Sequence, residues 1–216
     1  MAEIVLVRHG QANSAATDEE SYDRLSEVGH QQAAWLGEHL RATNPHFDRV
    51  IIGDMRRHRE TAHGMGHNSV ETDPRWNELS YFALSAALER ETGAPHPGGG
   101  DSFIQHNDQV FRYWRAGKLQ DVPESYDAFE ARILSALEAA AAPGGRVLVV
   151  TSTGVIAMVL RHVLDLGHDA HMKMIVQTAN TSVHRLQRLH GALYVAEYGA
   201  TPHLDSPDRR HYRTYY

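Results

Sequence analysis

Residues 4–11 read Ile-Val-Leu-Val-Arg-His-Gly-Gln. Four aliphatic residues in a row are the length and composition of a strand buried on both faces. The run ends abruptly in a cation, an imidazole and a glycine, and the carboxyl edge of a parallel sheet is where open α/β proteins hold ligands. Two later runs repeat the pattern. Arg49–Ile52 leads into Gly53-Asp54, and Arg146–Val150 leads into Thr151-Ser152-Thr153-Gly154. Each run is followed by a helical pattern. Ser26 is placed to cap a helix carrying Val28, Trp35, Leu36 and Leu40, which stops before Pro45. Asp54 is placed to cap another, through Arg57 and Thr61 to Gly64 and Gly66. Phe129, Ile133, Leu137 and Ala140 recur at helical spacing, and Gly154–Leu164 is apolar nearly all round, hence deeply buried. Ser182–Leu189 and Ala192–Tyr198 read as strands joined by a turn at His190-Gly191.

This order predicts an α/β fold: a mainly parallel sheet with helices on both faces and a C-terminal antiparallel hairpin, in one domain spanning 1–216. Residues 83–122 break the alternation and read as a helical and loop cap insertion, with Pro95–Asp101 (PHPGGGD) as its flexible stretch and Phe111 and Trp114 as plain core. The polar and aromatic tail from Arg209 to Tyr216 is expected to be a disordered end.

Composition narrows the chemistry. The chain has 216 residues, 42 % of them hydrophobic and 22 % charged, as in an ordinary globular domain. A net charge of −6 offers no broad basic surface for nucleic acid or an anionic membrane. No apolar run approaches the length of a membrane span, and no signal-peptide pattern precedes the first strand, so a cytoplasmic location is expected. With no Cys, thiol catalysis and Cys-ligated zinc are excluded. Sixteen His invite a metal reading, and His63 and His67 have helical ligand spacing. Glycines separate that pair and no third ligand is near in sequence, so no metal or other cofactor is expected. Oligomeric state stays open, a homodimer being the commonest assembly.

Bringing the three strand ends together gathers Arg8, His9, the arginines after Asp54 and the hydroxyls after Val150. Guanidinium groups and helix N-termini favour an anion there, and His9 adds a nucleophile or proton carrier. These segments resemble the histidine phosphatase superfamily, whose members include phosphoglycerate mutases. Arg8-His9-Gly10-Gln11 matches its opening motif, and Leu25-Ser26-x-x-Gly29-x-x-Gln32-Ala33 its next pattern. Arg57-x-x-x-Thr61-Ala62 is similar to the segment carrying a second phosphate-binding arginine. Glu78, in Trp76-Asn77-Glu78-Leu79, falls where relatives carry a proton donor, and Asn180-Thr181-Ser182-Val183 resembles their late strand. Ala15 stands where relatives often have Asn.

The resemblance implies a metal-independent phosphoric monoester hydrolase. His9 would become a phosphohistidine, Arg8 and Arg57 would hold phosphoryl oxygens, Glu78 would exchange protons, and the partner would be a small phosphorylated substrate or inorganic phosphate. One position departs. Ser152 occupies the place of the family's second histidine, and whether His58 or another histidine folds inward is left open by the sequence. Losing such a donor costs about a hundred- to a thousandfold. Three readings therefore stand: a phosphatase of reduced activity, a catalytically impaired binder of phospho-ligands or interaction protein, and a phosphoglycerate mutase. The third is disfavoured because a mutase must hold its phosphoryl group long enough to return it.

Overall fold

The computed structural model describes residues 2–13, 16, 18–43, 46–97 and 101–215. Six strands form one mixed sheet: β1 (Ala2–Arg8), β2 (Arg49–Ile52), β3 (Glu71–Thr72), β4 (Gly145–Thr151), β5 (Val183–Leu189) and β6 (Ala192–Ala200), in the order β3-β2-β4-β1-β5-β6. The four strands β3, β2, β4 and β1 run parallel, and β5 and β6 are added antiparallel. His190 and Gly191 both have positive φ, 50° and 87°, as the tight hairpin between β5 and β6 requires.

Register decides what reaches the carboxyl edge. Arg8 pairs with Thr151 and Ile52 with Val150, so β1, β2 and β4 end level. Alternation along β1 then divides the core. Val5 and Val7 share a buried cluster with Ala33, Leu36 and Leu40 of α2 (Glu27–Thr43) and Ala62 of α3 (Arg56–Gly64). Ile4 and Leu6, of opposite parity, are equally buried, so helices cover both faces. Every residue from Gly154 to Leu160 of α7 (Thr153–Leu164) is buried, as its all-apolar pattern predicts, and α7 packs on β1 and β6.

The described residues divide into two compact units, 1–78 with 133–216, and 79–132. Within the second, Tyr81–Thr92 and Asp101–Arg115 are helices, and the Trp114 ring meets Phe111, Tyr126 and Phe129 at 5.3–5.7 Å. Phe111 and Trp114 are core, as expected. Gly98–Gly100 of the PHPGGGD stretch lie outside the described residues, as do Ala15 and Pro45.

Two local expectations need correction, and one element went unread. Asp54 does not cap α3. The amides of Arg56 and Arg57 donate instead to the Asp23 carboxylate at 2.9 and 3.1 Å, while the carboxylate of Asp54 takes the Asn77 amide. Asp23 reaches that helix end from 33 residues upstream, just past a single helical turn, Glu19–Tyr22, whose own N-cap is Asp18. The region after Leu164, for which the sequence offered no element, holds a further helix, His168–Gln177, burying His171, Met172 and Ile175. Finally, the C-terminal tail is ordered. Gln32 Nε2 donates to the carbonyl of Tyr212 and to Thr214 Oγ1, the amide of Asn180 donates to the carbonyl of Thr214, and the Tyr212 ring meets Trp35 edge-on at 4.9 Å. A tail that satisfies buried polar groups of the body has no reason to fray.

Candidate active site

His9 follows β1, and its backbone is fixed on several sides. Its amide donates to the carbonyl of Thr151 at 2.9 Å, and its carbonyl accepts from the side-chain amide of Asn180 at 3.2 Å. The late Asn180-Thr181-Ser182 segment thus clamps the main chain of His9. Gly10 and Gly29 explain two glycines of the matched motifs. A Cβ on Gly10 would sit 2.5 Å from the carbonyl oxygen of Gly29, and one on Gly29 would sit 2.2 Å from that of Gln11. The first turn of α2 therefore presses backbone-to-backbone on the loop after β1. Gln32 completes the joint by accepting the amide hydrogen of Gln11 at 2.8 Å.

The His9 ring is buried, and its Nδ1 lies 2.7 Å from the carbonyl oxygen of Gly10. A carbonyl only accepts, so Nδ1 carries the hydrogen and Nε2 keeps its lone pair. Burial holds the His9 pKa well below the ordinary 6.5, reinforced by the charges of Arg57 and Arg8 and by His58. The ring is therefore neutral and nucleophilic at neutral pH.

The sequence-selected arginines converge on this ring. Arg8 is almost wholly buried and donates to the carbonyls of Thr178 and Tyr215. Burial lowers its pKa below the ordinary guanidinium range, while Tyr22 and Glu78 act in the opposite sense. Among Arg56, Arg57 and Arg59, only Arg57 is buried, at 1 % exposure. Its guanidinium pairs with Asp23 at 3.0 Å and lies over the Tyr22 ring, 5.1 Å from the centroid. The Nε atoms of both Arg8 and Arg57 are buried without a hydrogen-bond partner. Two buried cations with donors left over, beside a neutral imidazole, form a cradle for a multiply charged oxyanion.

Glu78 follows a short 3-10 turn, Pro74–Trp76, that is pinned to β4 by the Thr151 hydroxyl donating to the Trp76 carbonyl at 2.6 Å. Its carboxylate accepts the amide hydrogen of Gly154 at 2.9 Å, in the first turn of α7. Ser152, buried at the start of that helix, makes no capping bond with its side chain. Its Oγ lies instead 2.7 Å from Nε2 of His58. His58 is fully buried, and its ring centroid is 5.9 Å from that of His9. His58, two residues after Arg56, is thus the histidine that folds inward, the alternative the sequence left open. Asp23, Tyr22 and the Tyr215 carbonyl also join the site unannounced by any local pattern.

Among the described residues, no three His, Asp or Glu side chains are grouped to hold a metal ion. Nor is any helix long and apolar enough to cross a membrane.

Comparison with known proteins places these features in a family. The family model for the histidine phosphatase superfamily (branch 1) matches residues 4–201. A broad-specificity phosphatase of Saccharomyces cerevisiae is 26 % identical over 189 residues, covering 83 % of this chain and 78 % of that protein. Two crystal structures share the fold. Phosphoserine phosphatase of Entamoeba histolytica, in its phosphoserine complex, aligns with a TM-score of 0.62 at 19 % identity, over 94 % of this chain and all of that one. Alpha-ribazole phosphatase of Shigella flexneri aligns with a TM-score of 0.68 at 15 % identity, over 92 % and 96 %. With its strand order, its Arg-His-Gly edge and a match along nearly its whole length, the chain belongs to the histidine phosphatase superfamily, branch 1.

Proposed function

We propose that the protein is a phosphatase that hydrolyses small phosphate monoesters through a phosphohistidine at His9. The observation that carries this reading is the buried His9 ring, held by Gly10 with its Nε2 lone pair free and flanked by the part-unpaired guanidiniums of Arg8 and Arg57. In the first step His9 Nε2 attacks phosphorus, an N–P bond forms, and the P–O bond to the alcohol breaks. Glu78 in its carboxylic acid form gives its proton to the departing oxygen. In the second step water attacks phosphorus and loses its proton to the Glu78 carboxylate. The N–P bond breaks, its electron pair returns to Nε2, and inorganic phosphate leaves. Arg8 and Arg57 hold the equatorial oxygens throughout, with a geometry set before substrate arrives. The phosphatase names of the similar proteins support the reaction class.

The test is rapid quenching of the enzyme during turnover of p-nitrophenyl phosphate. A phosphoryl group held covalently at His9, labile to acid and stable to base, is the expected result; turnover without it overturns the mechanism.

Glu78 has its own signature. The Glu78→Gln variant is expected to lose about 10²- to 10⁴-fold in kcat/KM on an alkyl phosphate such as glycerol 2-phosphate. On p-nitrophenyl phosphate kcat/KM should hardly change, because nitrophenolate departs without a proton and this ratio reports only phosphoryl transfer to His9. Equal losses on both esters would remove Glu78 from the donor role.

A further inference from the structure

We infer that His58, acting through the hydroxyl of Ser152, supplies the phosphoryl-oxygen donor that the single histidine of other family members would supply at position 152. This inference rests on the phosphohistidine reading above and concerns how that site is completed.

Three independent observations meet at this pair. First, Ser152 stands at a helix N-cap, where a serine hydroxyl ordinarily accepts an amide hydrogen from the first turn. It makes no such bond, and the Gly154 amide goes to Glu78. The hydroxyl is thus kept for His58, at 2.7 Å. Second, His58 is a wholly buried polar ring whose other nitrogen, Nδ1, has no partner. Its bond to Ser152 Oγ is what offsets the cost of burying a polar ring, a cost an apolar residue packed there would not incur. Third, the backbone has been opened to receive the ring. A Cβ on Gly53 would lie 2.4 Å from His58 Nδ1 and 2.6 Å from Asn77 Oδ1, so the glycine makes room for this ring and for the Asn77 side chain together. Gly53 has no positive φ that would otherwise demand a glycine.

The hydrogen-bond logic follows. With Nε2 protonated, His58 donates to Ser152 Oγ, and the serine hydrogen turns toward a phosphoryl oxygen on His9 or on its way there. A serine alone is shorter than histidine and weakly polarised. A serine whose oxygen already accepts from an imidazole is a stronger donor, because hydrogen bonds in a chain polarise one another. Burial first, and then the charge of Arg57, depresses the His58 pKa in the empty site, so its ring is neutral there. A bound phosphoryl dianion works in the reverse direction, favouring the charged form. His58 touches no reacting atom directly and is a positioning residue.

Filling space and donating a hydrogen bond are separated by two substitutions. His58→Phe keeps an aromatic ring but removes the donor, and His58→Gln keeps a donor in place of Nε2 while removing titration. Turnover of p-nitrophenyl phosphate, inhibition by orthovanadate and thermal melting are measured for both, for Ser152→Ala, and for the His58→Phe/Ser152→Ala double variant. His58→Phe and Ser152→Ala are each expected to lower kcat about 10²- to 10³-fold with KM changed less than about threefold, because the interaction is made in the transition state. Their vanadate affinity should fall in parallel. The double variant should be no slower than the slower single one, since the two groups act as a unit. His58→Gln should recover at least about tenfold of what His58→Phe loses.

A folded His58→Phe enzyme turning over like wild type, or multiplying losses in the double variant, overturns the inference. The underlying mechanism is read separately. If the phosphoryl-enzyme forms at His9 in wild type while His58→Phe stays fast, only the role of His58 falls. If wild type turns over without a phosphoryl group on His9, the mechanism falls, and the role of His58 with it.

Discussion

Replacing His9 by alanine is expected to reduce turnover of p-nitrophenyl phosphate by roughly 10⁴-fold or more, the scale seen when a covalent nucleophile is deleted. The expectation follows from geometry. Arg8 and Arg57 would still bind the anion, since their positions are fixed by Thr178, Tyr215 and Asp23 and do not depend on the His9 ring. Phosphate affinity should accordingly survive the substitution within about tenfold. Loss of catalysis with retention of the anion assigns the two functions to different side chains. A His9→Ala enzyme with more than about one-tenth of wild-type kcat would place the nucleophile elsewhere.

The second large effect concerns acid. His184 and His203 are buried on the β5 side of the site, and burial is the main cause that pushes both pKa values down to about 3; Arg8 adds to it at His184, and His39, Arg209 and Arg213 at His203. Their hydrogen bonds agree. Nδ1 of His184 accepts the amide hydrogen of Gly199 at 3.2 Å, which leaves Nε2 to donate to Ser182 Oγ at 3.0 Å. His203 Nε2 reaches Thr181 Oγ1 at 2.9 Å, and that hydroxyl already donates to the Asn180 carbonyl. Below pH 6.5 the unfolded chain takes up these protons while the native state does not. Stability is therefore complete above about pH 6.5 and declines as pH falls toward 3, by about 1.4 kcal/mol per unit and per group. At pH 5 the two together cost about 4 kcal/mol, with His9 and His58 acting in the same direction. Against a typical domain stability of about 5–15 kcal/mol this is a large share, so the denaturation midpoint should be clearly lower at pH 5 than at neutral pH. Urea melts at pH 7.5 and pH 5 measure it. A midpoint unchanged between them would show that these rings protonate freely in the native state.

The sequence carried the frame of this molecule because its strands are buried on both faces and so read as plain aliphatic runs. Ile4–Val7 and Arg146–Val150 fall inside β1 and β4, and Ser26 accepts the amide hydrogen of Gly29 at 3.1 Å, as a cap should. Arg57 could be picked out from Arg56 and Arg59 only by family register, since the three lie in one cationic turn and burial is decided by Tyr22 and Asp23, more than thirty residues upstream. The helix His168–Gln177 was missed because Gly167 provides no side-chain cap and its buried residues include a histidine. His58 was hidden most completely. Beside three arginines it looks like solvated helix surface, and its partner Ser152 lies 94 residues further along the chain. Side chains whose meaning comes from a distant neighbour leave no periodicity behind.

Gly53 also constrains history. A side chain at 53 would collide with the His58 ring and with the Asn77 side chain, so both depend on glycine there. Any route to this arrangement needs glycine at 53 before, or together with, imidazole at 58. Reconstructed ancestors with histidine at 58 should therefore also carry glycine at 53.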